Sequence, residues 1–420
     1  MKRVLMSINQ NIILKLSILI FISIFITNCS EKSDNIKQEK KISFWHFWSE
    51  PNQQLALNNI IDQFEKEYNC TVERTELSWN DGKTKLFAAF NSKTAPDVIE
   101  LGSDWVAQFS SSGVLQRINN DSIPESRFVP FSLEPSLWDN TFYAVPWLVD
   151  TRVLFYNKDL MNKAGLSQEP PKTIEDIIDY AKKINALDGI YGFGCNGSDP
   201  HRLYKKMLYF FWTFGGGVFD TEGNPIIDCQ ENISALETYI RISNYGFIET
   251  QRQIDALFAR GKVGLWISGG WLLEKINKEN PKLDFGVALM PGLKADEPGI
   301  SFAGGEYLSI SKQTQKYDLA LKFVEFMTNG ENSIKFCKQV IEAGFPADIN
   351  YYNDPYYKQH ENRKLFSEQL NYARMTPVSP KWLDIEAIIE KAAVEGLYGR
   401  KSATGALRDA QQSIEKMMKK

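Results

Sequence analysis

Short apolar runs alternate with helically spaced apolar positions in the first part of the chain that follows position 42. Residues 43–47, 71–77 and 97–101 have the composition of buried or half-buried strands. Between them, residues 57–68 repeat apolar side chains every three or four positions, and 83–90 predicts a second helix. This βαβαβ order predicts a parallel sheet covered by helices.

Aromatic and acidic side chains occur where two of these strands end, at 45–50 and 102–105. Ligands of open α/β sheets bind beyond the carboxyl ends of the strands. Residues 45–50 and 102–105 are therefore predicted to form the mouth of a site. Ser103 is predicted to cap a helix that runs toward Gly113.

The remainder of the chain repeats the alternation and then becomes mostly helical. Strands are predicted at 153–156, 190–193, 263–267, 284–289 and 307–310. Helices are predicted at 173–185 (with a capping box at Thr173 and Asp176), 201–214, 233–245 (ending at Gly246), 254–260, 319–327, 333–341, 363–372, 382–397 and 404–418. No repeat of fixed period is present in the sequence.

The N-terminus has the order of an export signal. Lys2, Arg3 and Lys15 precede an apolar run at 16–27 that is too short to cross a bilayer, which favours a signal peptide (1–28) over a permanent span. Cys29 follows Asn28. The next residues, 29–41, are polar and predict a solvated tether.

Composition narrows the function. With 48 Lys and Arg against 52 Asp and Glu, the chain lacks the basic surface of a nucleic-acid-binding protein. Its three His and five Cys show no metal-binding spacing, so neither a metal nor a cofactor is expected. Residues 192–197 satisfy GxGxxG literally, but the helix entry that follows is interrupted by Pro200, which argues against a dinucleotide site.

Eight segments in order resemble the family 1 extracellular solute-binding proteins, the group that includes maltose-binding protein. They are FWHFW (44–48), APDVIELGSDW (95–105), YAVPWLVDTRVLFYNKDLMNKAGL (143–166), YGFG (191–194), WTFGGGVFD (212–220), GKVGLWISGGW (261–271), AGGEYLSISK (303–312) and GRKSATGALRDAQ (399–411). The resemblance covers nearly all of the chain after the tether. It also likens residues 26–29 to a lipobox, which makes Cys29 the expected lipidation site, although Asn28 departs from the small residue usual there.

The resemblance implies an α/β, two-lobed, periplasmic-binding-protein-like (type II) fold with a hinge between the lobes. Lobe one is expected at 42–149 plus 301–345, and lobe two at 150–300 plus 346–420. The crossings near Asp150, Ser301 and Phe345 would form the hinge. The protein is expected to be an exported, membrane-anchored lipoprotein of the cell envelope and a monomer that docks on the transmembrane subunits of an ABC permease.

A sugar offers apolar ring faces and a rim of hydroxyls, which aromatic side chains and hydrogen-bonding charged groups recognise. The resemblance and the positions of these residue types together give twelve candidate ligand-binding residues. They are Trp45, Trp48, Glu50, Asp104, Trp147, Asp150, Trp212, Trp271, Gly304, Gly305, Glu306 and Arg374. Glu306 departs from the Trp of many sugar-binding relatives, and Trp271 is the expected aromatic platform of lobe two.

The favoured function is a receptor of an ABC importer that captures a carbohydrate without changing it. A receptor for a non-sugar solute, such as glycerol phosphate, a polyamine or a peptide, remains open because a fold does not fix a ligand. A phosphate would require an Arg or Lys cluster, whereas the mouth motifs hold acids. A glycoside hydrolase is the third alternative. Such an enzyme needs two carboxyl groups that flank the bond to be cleaved, and the sequence supplies carboxylates beside aromatic residues.

Overall fold

Two β-sheets with helices around them organise the computed structural model, which describes residues 40–119, 123–197 and 199–419. The signal peptide and Cys29 lie outside the described residues. Both sheets belong to one compact unit, Ile42–Lys420. Among the residues described, no helix combines the length and the apolarity that a membrane crossing requires.

The strands are short, as expected for an α/β protein. In chain order they are β1 (Lys40–His46), β2 (Cys70–Glu76), β3 (Val98–Gly102), β4 (Leu137–Trp138), β5 (Thr141–Phe142), β6 (Ala144–Thr151), β7 (Val153–Asn157), β8 (Tyr191–Asn196), β9 (Gly246–Glu249), β10 (Val263–Ser268), β11 (Phe285–Ala288), β12 (Ser301–Ile310), β13 (Phe345–Pro346) and β14 (Ala373–Arg374).

The helices cover the sheets, and most of them lie where they were predicted; the helices Lys158–Lys163, Trp271–Glu279, Ile349–Tyr352 and Pro355–Lys358 were not predicted. They span Pro51–Tyr68, Gly82–Ser92, Val106–Ser111, Lys158–Lys163, Ile174–Asn185, Leu203–Thr213, Gln230–Ser243, Gln251–Ala259, Trp271–Glu279, Tyr317–Thr328, Gly330–Gln339, Ile349–Tyr352, Pro355–Lys358, Glu361–Gln369, Trp382–Leu397 and Ala403–Met418.

The sheets are mixed, which corrects the expectation of a parallel sheet. In the described residues the larger sheet has the order β13-β6-β12-β3-β1-β2, with β14 beside β12, and the smaller has the order β11-β7-β10-β8-β9. β1 and β3 are parallel, but β12 is antiparallel to both β3 and β6. Buried strands are apolar on both faces in either arrangement, so the sequence pattern does not reveal strand direction.

The chain passes between the sheets beside β6 and β12. Only Arg152 separates β6, in the larger sheet, from β7, in the smaller one. Thr151 Oγ1 donates to the carbonyl of Phe302 at 2.7 Å, and Ser301 Oγ donates to the carbonyl of Arg152 at 2.8 Å. β13 pairs with β6 at Phe345 and Val149. The three predicted crossings are therefore neighbours in one sheet.

Local signals predicted most helix boundaries. Thr173 caps the helix Ile174–Asn185 through the expected capping box with Asp176. The proposed cap at Ser103 is wrong, because the helix Val106–Ser111 starts after Trp105 and has no side-chain cap. Gly246 does follow a helix, but it also begins strand β9, which the sequence reading missed.

The GxGxxG segment is the interior of strand β8 and its end. A Cβ at Gly192 would lie 1.9 Å from the carbonyl oxygen of Ala181, and one at Gly194 would lie 2.4 Å from Ile254. These glycines let the helices Ile174–Asn185 and Gln251–Ala259 approach the strand closely. Their spacing therefore reflects helix-to-sheet packing.

Candidate functional site

A cavity of about 610 Å³ lies where the crossing strands meet the ends of β1 and β3. Its other side is formed by residues at or near the starts of three helices, Leu203–Thr213, Gln251–Ala259 and Trp271–Glu279. The lining therefore combines residues of the larger sheet with residues of the helices beside the smaller sheet. A volume of this size is typical of small-ligand sites.

Eight of the twelve candidate residues line this cavity. They are Trp48, Glu50, Asp104, Asp150, Trp271, Gly304, Gly305 and Glu306. They come from segments far apart in sequence, so their convergence is a property of the tertiary structure. Placement at the cavity makes them accessible to a ligand, and their binding roles remain predictions.

Four candidates lie outside the cavity lining, which corrects the expected position of each. Trp147 is 1 % exposed and stacks on Phe336 with ring centroids 5.2 Å apart. Trp212 is buried in the helical core, and Trp45 packs against that core as a half-buried side chain. Arg374 is exposed on β14. Strand ends carry side chains on both faces, and the sequence does not say which face meets the cavity.

Trp79 is an aromatic lining residue that sequence reasoning missed. It is half-buried, stacks on Phe47 at 3.9 Å between ring centroids, and contacts the edge of Trp105. Phe47 holds the indole plane, as a stacking platform requires. The signal was present, because Trp79 follows β2 and its loop lies at the same sheet edge as the loops after β1 and β3.

Glu100 and Glu306 form a close pair of carboxyl groups on one face of the larger sheet. Glu306 lies opposite Gly102, two residues from Glu100, so the two side chains are diagonal neighbours. The two carboxyl groups are within hydrogen-bonding reach of each other, and the Trp48 side chain is a further polar neighbour of Glu100. Phe47 N donates to Glu100 Oε2 at 3.0 Å.

This carboxyl pair retains a proton at neutral pH. Burial raises the pKa of Glu100 to about 8. Burial, followed by the charges of Glu100 and Asp150, raises the pKa of Glu306 well above its usual value. Two adjacent buried carboxylates cannot both ionise cheaply, so the pair titrates as a unit. A protonated carboxyl group offers both a donor and an acceptor to a ligand hydroxyl.

Asp104 accepts a hydrogen bond from the hydroxyl of Tyr204 at 2.6 Å. Tyr204 is fully buried at the start of the helix Leu203–Thr213, and burial raises its pKa well above the usual value. Tyr204 thus remains a donor, and Asp104 does not cap a helix. Together Glu100, Asp104 and Glu306 form what we call the acidic wall of the cavity.

Trp271 is held rigidly, but its ring already has a protein partner. Asp255 is buried and accepts hydrogen bonds from Trp266 Nε1 at 2.7 Å, Ser268 Oγ at 3.0 Å and Trp271 Nε1 at 3.0 Å. The guanidinium of Arg152 lies 4.5 Å from the Trp271 ring centroid. A cation over an indole face is a favourable contact. Trp271 therefore orients Arg152, besides lining the cavity.

Arg152, Arg202 and Lys205 also line the cavity, and we call them the basic wall. Arg152 pairs with Asp150, with Nη1 and Oδ2 2.5 Å apart. The mouth therefore holds cations as well as acids, which corrects the expectation of acids alone. Arg152 lies in the segment 143–166, which carries part of the family resemblance. Arg202 and Lys205 follow Pro200 at the start of the helix predicted at 201–214.

His201, which directly precedes Arg202 of the basic wall, has an unusual backbone conformation. Its φ of 62° is in the left-handed region, which non-glycine residues rarely adopt. Its ring Nδ1 pairs with the buried Glu386, and its backbone N–H donates to Glu390 Oε2 at 3.1 Å. The hydrogen bond to Glu386 raises the pKa of His201. These contacts hold the turn that presents Arg202 and Lys205.

The two glycines of β12 are explained by packing. A Cβ at Gly305 would lie 2.2 Å from the carbonyl oxygen of Leu148 in β6, and one at Gly304 would lie 2.7 Å from the Phe302 ring. The expected approach of a ligand to these backbone amides stays a prediction. The observed requirement is close contact between the crossing strands.

Comparison with known proteins identifies relatives along nearly the whole described chain. The family described as "Bacterial extracellular solute-binding protein" matches residues 48–334. The galactooligosaccharide-binding protein of Bacillus subtilis is 25% identical over 417 residues, covering 95% of this chain and 95% of the relative.

Two solved structures are similar in fold. An ABC transporter solute-binding protein from Thermotoga lettingae bound with alpha-D-tagatose has a TM-score of 0.81 at 24% identity, covering 90% of this chain and 99% of that one. UgpB from Mycobacterium tuberculosis in complex with glycerophosphocholine has a TM-score of 0.79 at 22% identity, covering 91% and 99%. These likenesses support the two-lobed α/β fold.

Proposed function

Because the chain belongs to the bacterial extracellular solute-binding protein family, we propose that it is the receptor of an ABC importer and captures a carbohydrate in the cavity. The observation that carries the proposal is the combination in one cavity of a braced indole, Trp79, with the acidic wall. An indole face suits the apolar face of a sugar ring, and carboxyl groups suit its hydroxyls.

The proposed mechanism is closure around the ligand. Residues of the acidic wall project from the larger sheet. On the other side, Asp199 and Arg202 follow strand β8 of the smaller sheet, and Asp255 lies in the helix Gln251–Ala259 beside that sheet. Only a closed arrangement offers both sets of contacts to one ligand, so binding favours that state. The closed form would then dock on the permease subunits. Cys29, outside the described residues, would anchor the protein through lipid.

The protein is proposed to bind its ligand without chemical change. Its carboxyl pair, Glu100 and Glu306, sits on neighbouring strands of one sheet face. A glycosidase instead places its two carboxyl groups on opposite sides of the bond to be cleaved, about 5 to 9 Å apart. One relative is named a galactooligosaccharide-binding protein, and one similar structure is bound with alpha-D-tagatose. Both agree with a carbohydrate ligand.

The test is a thermal-shift and calorimetry screen of the full-length chain in detergent against mono- to tetrasaccharides, polyols, polyamines and short peptides. A carbohydrate receptor melts at a higher temperature with a sugar, because the ligand binds only the folded state. Chromatography after incubation should recover the sugar unchanged. Released product would indicate an enzyme, and a melting shift with a polyamine or peptide alone would exclude the carbohydrate.

A further inference from the structure

The basic wall concentrates three cations at one side of the cavity. Arg202 and Lys205 belong to the start of the helix Leu203–Thr213, while Arg152 lies between β6 and β7. Burial, and then repulsion by Arg152, lowers the pKa of Arg202. Burial is also the main reason for the lowered pKa of Lys205. The cations are thus close enough to affect one another.

Two of these cations lack a carboxylate partner. Arg152 has Asp150, but within residues 40–119, 123–197 and 199–419 no carboxylate reaches ion-pair distance of the Arg202 or Lys205 side chain. Lys205 Nζ instead lies 4.9 Å from the Phe302 ring centroid and 5.5 Å from that of Tyr204. Both side chains are half-buried in the cavity lining, and a partly desolvated cation is stabilised when an anion lies against it.

The nearby acids already have donors of the protein's own. Asp104 accepts from Tyr204, and Asp255 accepts from two indoles and a hydroxyl. Glu390 accepts hydrogen bonds from the backbone N–H groups of His201, Arg202 and Tyr204. The start of this helix is therefore already capped by a carboxylate. Within the basic wall, the side chains of Arg202 and Lys205 remain without an ion pair among the described residues, whereas Arg252, which also lines the cavity, is exposed to solvent.

We propose that the solute is an acidic carbohydrate whose anionic group, a carboxylate or a phosphate, binds between Arg202 and Lys205. This inference rests on the proposed carbohydrate receptor and specifies its ligand. The guanidinium supplies paired, planar donors for an anion, and the lysine supplies a compact charge. The uncharged part of the ligand then extends toward the acidic wall and Trp79, where its hydroxyls and ring face are recognised.

The experiment compares matched sugars with the full-length chain in detergent. Each set contains a neutral mono- to trisaccharide, its C6-oxidised uronate and its 6-phosphate, and calorimetry measures affinity at two salt concentrations. sn-Glycerol 3-phosphate is included as an anion without a sugar ring. The best-bound set should favour an anionic member over its neutral counterpart by roughly tenfold or more, because only the anionic member forms charged hydrogen bonds with the basic wall. Uronate and 6-phosphate members separate the two sources of charge.

Two variants assign the preference to the basic wall. Lys205→Gln and Arg202→Gln should each bring the anionic sugar to within about threefold of the neutral one, and should weaken the salt dependence. Having two variants keeps the test valid if one does not fold. Lys183→Gln is the control, because Lys183 is an exposed lysine paired with Asp179 outside the cavity lining.

The outcomes separate this inference from the proposed function. Neutral sugars that bind as tightly as their anionic counterparts overturn the anionic subsite and leave a carbohydrate receptor. Binding of sn-glycerol 3-phosphate alone, with no sugar bound, overturns the carbohydrate and retains the anion site. A preference for anions that survives in both variants places the anion elsewhere and overturns the assignment to Arg202 and Lys205. Absence of binding by every probe overturns both proposals.

Discussion

The acidic wall and the basic wall line the same cavity, but their side chains are positioned in different ways. Glu100 and Glu306 project from paired strands in the interior of the larger sheet, where the backbone ladder fixes their spacing. Arg202 and Lys205 start a helix after a left-handed residue, His201, and depend on its contacts with Glu386 and Glu390. The acidic wall is held by regular structure, whereas the basic wall is held by side-chain contacts.

The walls also differ in how burial is tolerated. Tyr204 donates a hydrogen bond to Asp104, and Glu100 and Glu306 lie within hydrogen-bonding reach of each other, so each acid has a polar neighbour within the protein. The cations Arg202 and Lys205 have aromatic neighbours or distant acids instead of ion pairs. The difference indicates that the acidic wall is prepared for neutral hydroxyls, and the basic wall for charge supplied by the ligand.

Trp79→Ala is expected to have the largest effect on the acidic side of this comparison. Removing the braced indole should weaken sugar affinity roughly 30- to 100-fold, in line with about 2 to 3 kcal/mol for burying a large apolar side chain. Calorimetry with the best-bound sugar measures the change. Trp138→Ala, in the small β4–β5 hairpin outside the cavity lining, should leave affinity within about twofold. Equal losses in both variants would contradict a stacking role.

Asp150→Asn tests the link between the walls. It removes the ion-pair partner of Arg152, whose side chain is only 7% exposed, so both affinity and melting temperature should fall. We expect about 1 to 3 kcal/mol in affinity, because a charged hydrogen bond is lost next to the cavity. Calorimetry and thermal melting separate the two effects. A lower melting temperature with unchanged affinity would make Asp150 purely structural.

Glu100→Gln tests the shared proton of the acidic wall. The pKa of Glu100 rises from 4.5 to about 8 on folding, so the folded state binds more protons than the unfolded state across that window. Its contribution to stability is therefore full below pH 4.5 and declines as the pH rises toward 8. The stability of the variant should therefore fall less steeply with rising pH than that of the wild type. At about pH 8 the variant should melt a few degrees above the wild type.

The comparison with wild type at each pH isolates Glu100 from other titrating groups. Burial lowers the pKa of His46 to about 4, so His46 acts with the opposite sign, and its stability contribution is lost as the pH falls through 6.5 to 4. Glu134→Gln, at an exposed carboxyl, is the control. Parallel melting curves for Glu100→Gln and wild type at every pH would exclude the protonated pair.

Trp271→Phe should have the smallest effect. Phenylalanine keeps a ring near Arg152 but removes the donor to Asp255, which retains Trp266 and Ser268. A loss of about 0.5 to 1.5 kcal/mol in stability is expected for one hydrogen bond. Trp271→Ala removes the ring as well, so it should weaken ligand binding more than Trp271→Phe does, while the fold persists. Unchanged affinity in calorimetry for the alanine variant would contradict a role for Trp271 at the site.

The sequence by itself determined most of the local structure and the family. Apolar spacing predicted the five longer helices from residue 317 onward to within a few residues of their observed ends, but it missed the short helices Ile349–Tyr352 and Pro355–Lys358. The capping box at Thr173 was predicted correctly. That capping box and the order of the eight family-like segments are likewise present in the sequence itself. These features depend on short-range backbone and side-chain preferences, which a sequence records directly.

Tertiary structure alone decided strand direction, the facing of side chains and the pairing of charges. Trp147 lies within strand β6 and Trp79 follows strand β2, yet the first is buried against Phe336 and the second lines the cavity. Glu100 and Glu306 are separated by 206 positions in the chain, and only the pairing of β3 with β12 makes their pKa values interdependent. Such properties arise from distances between remote segments, which local periodicity does not encode.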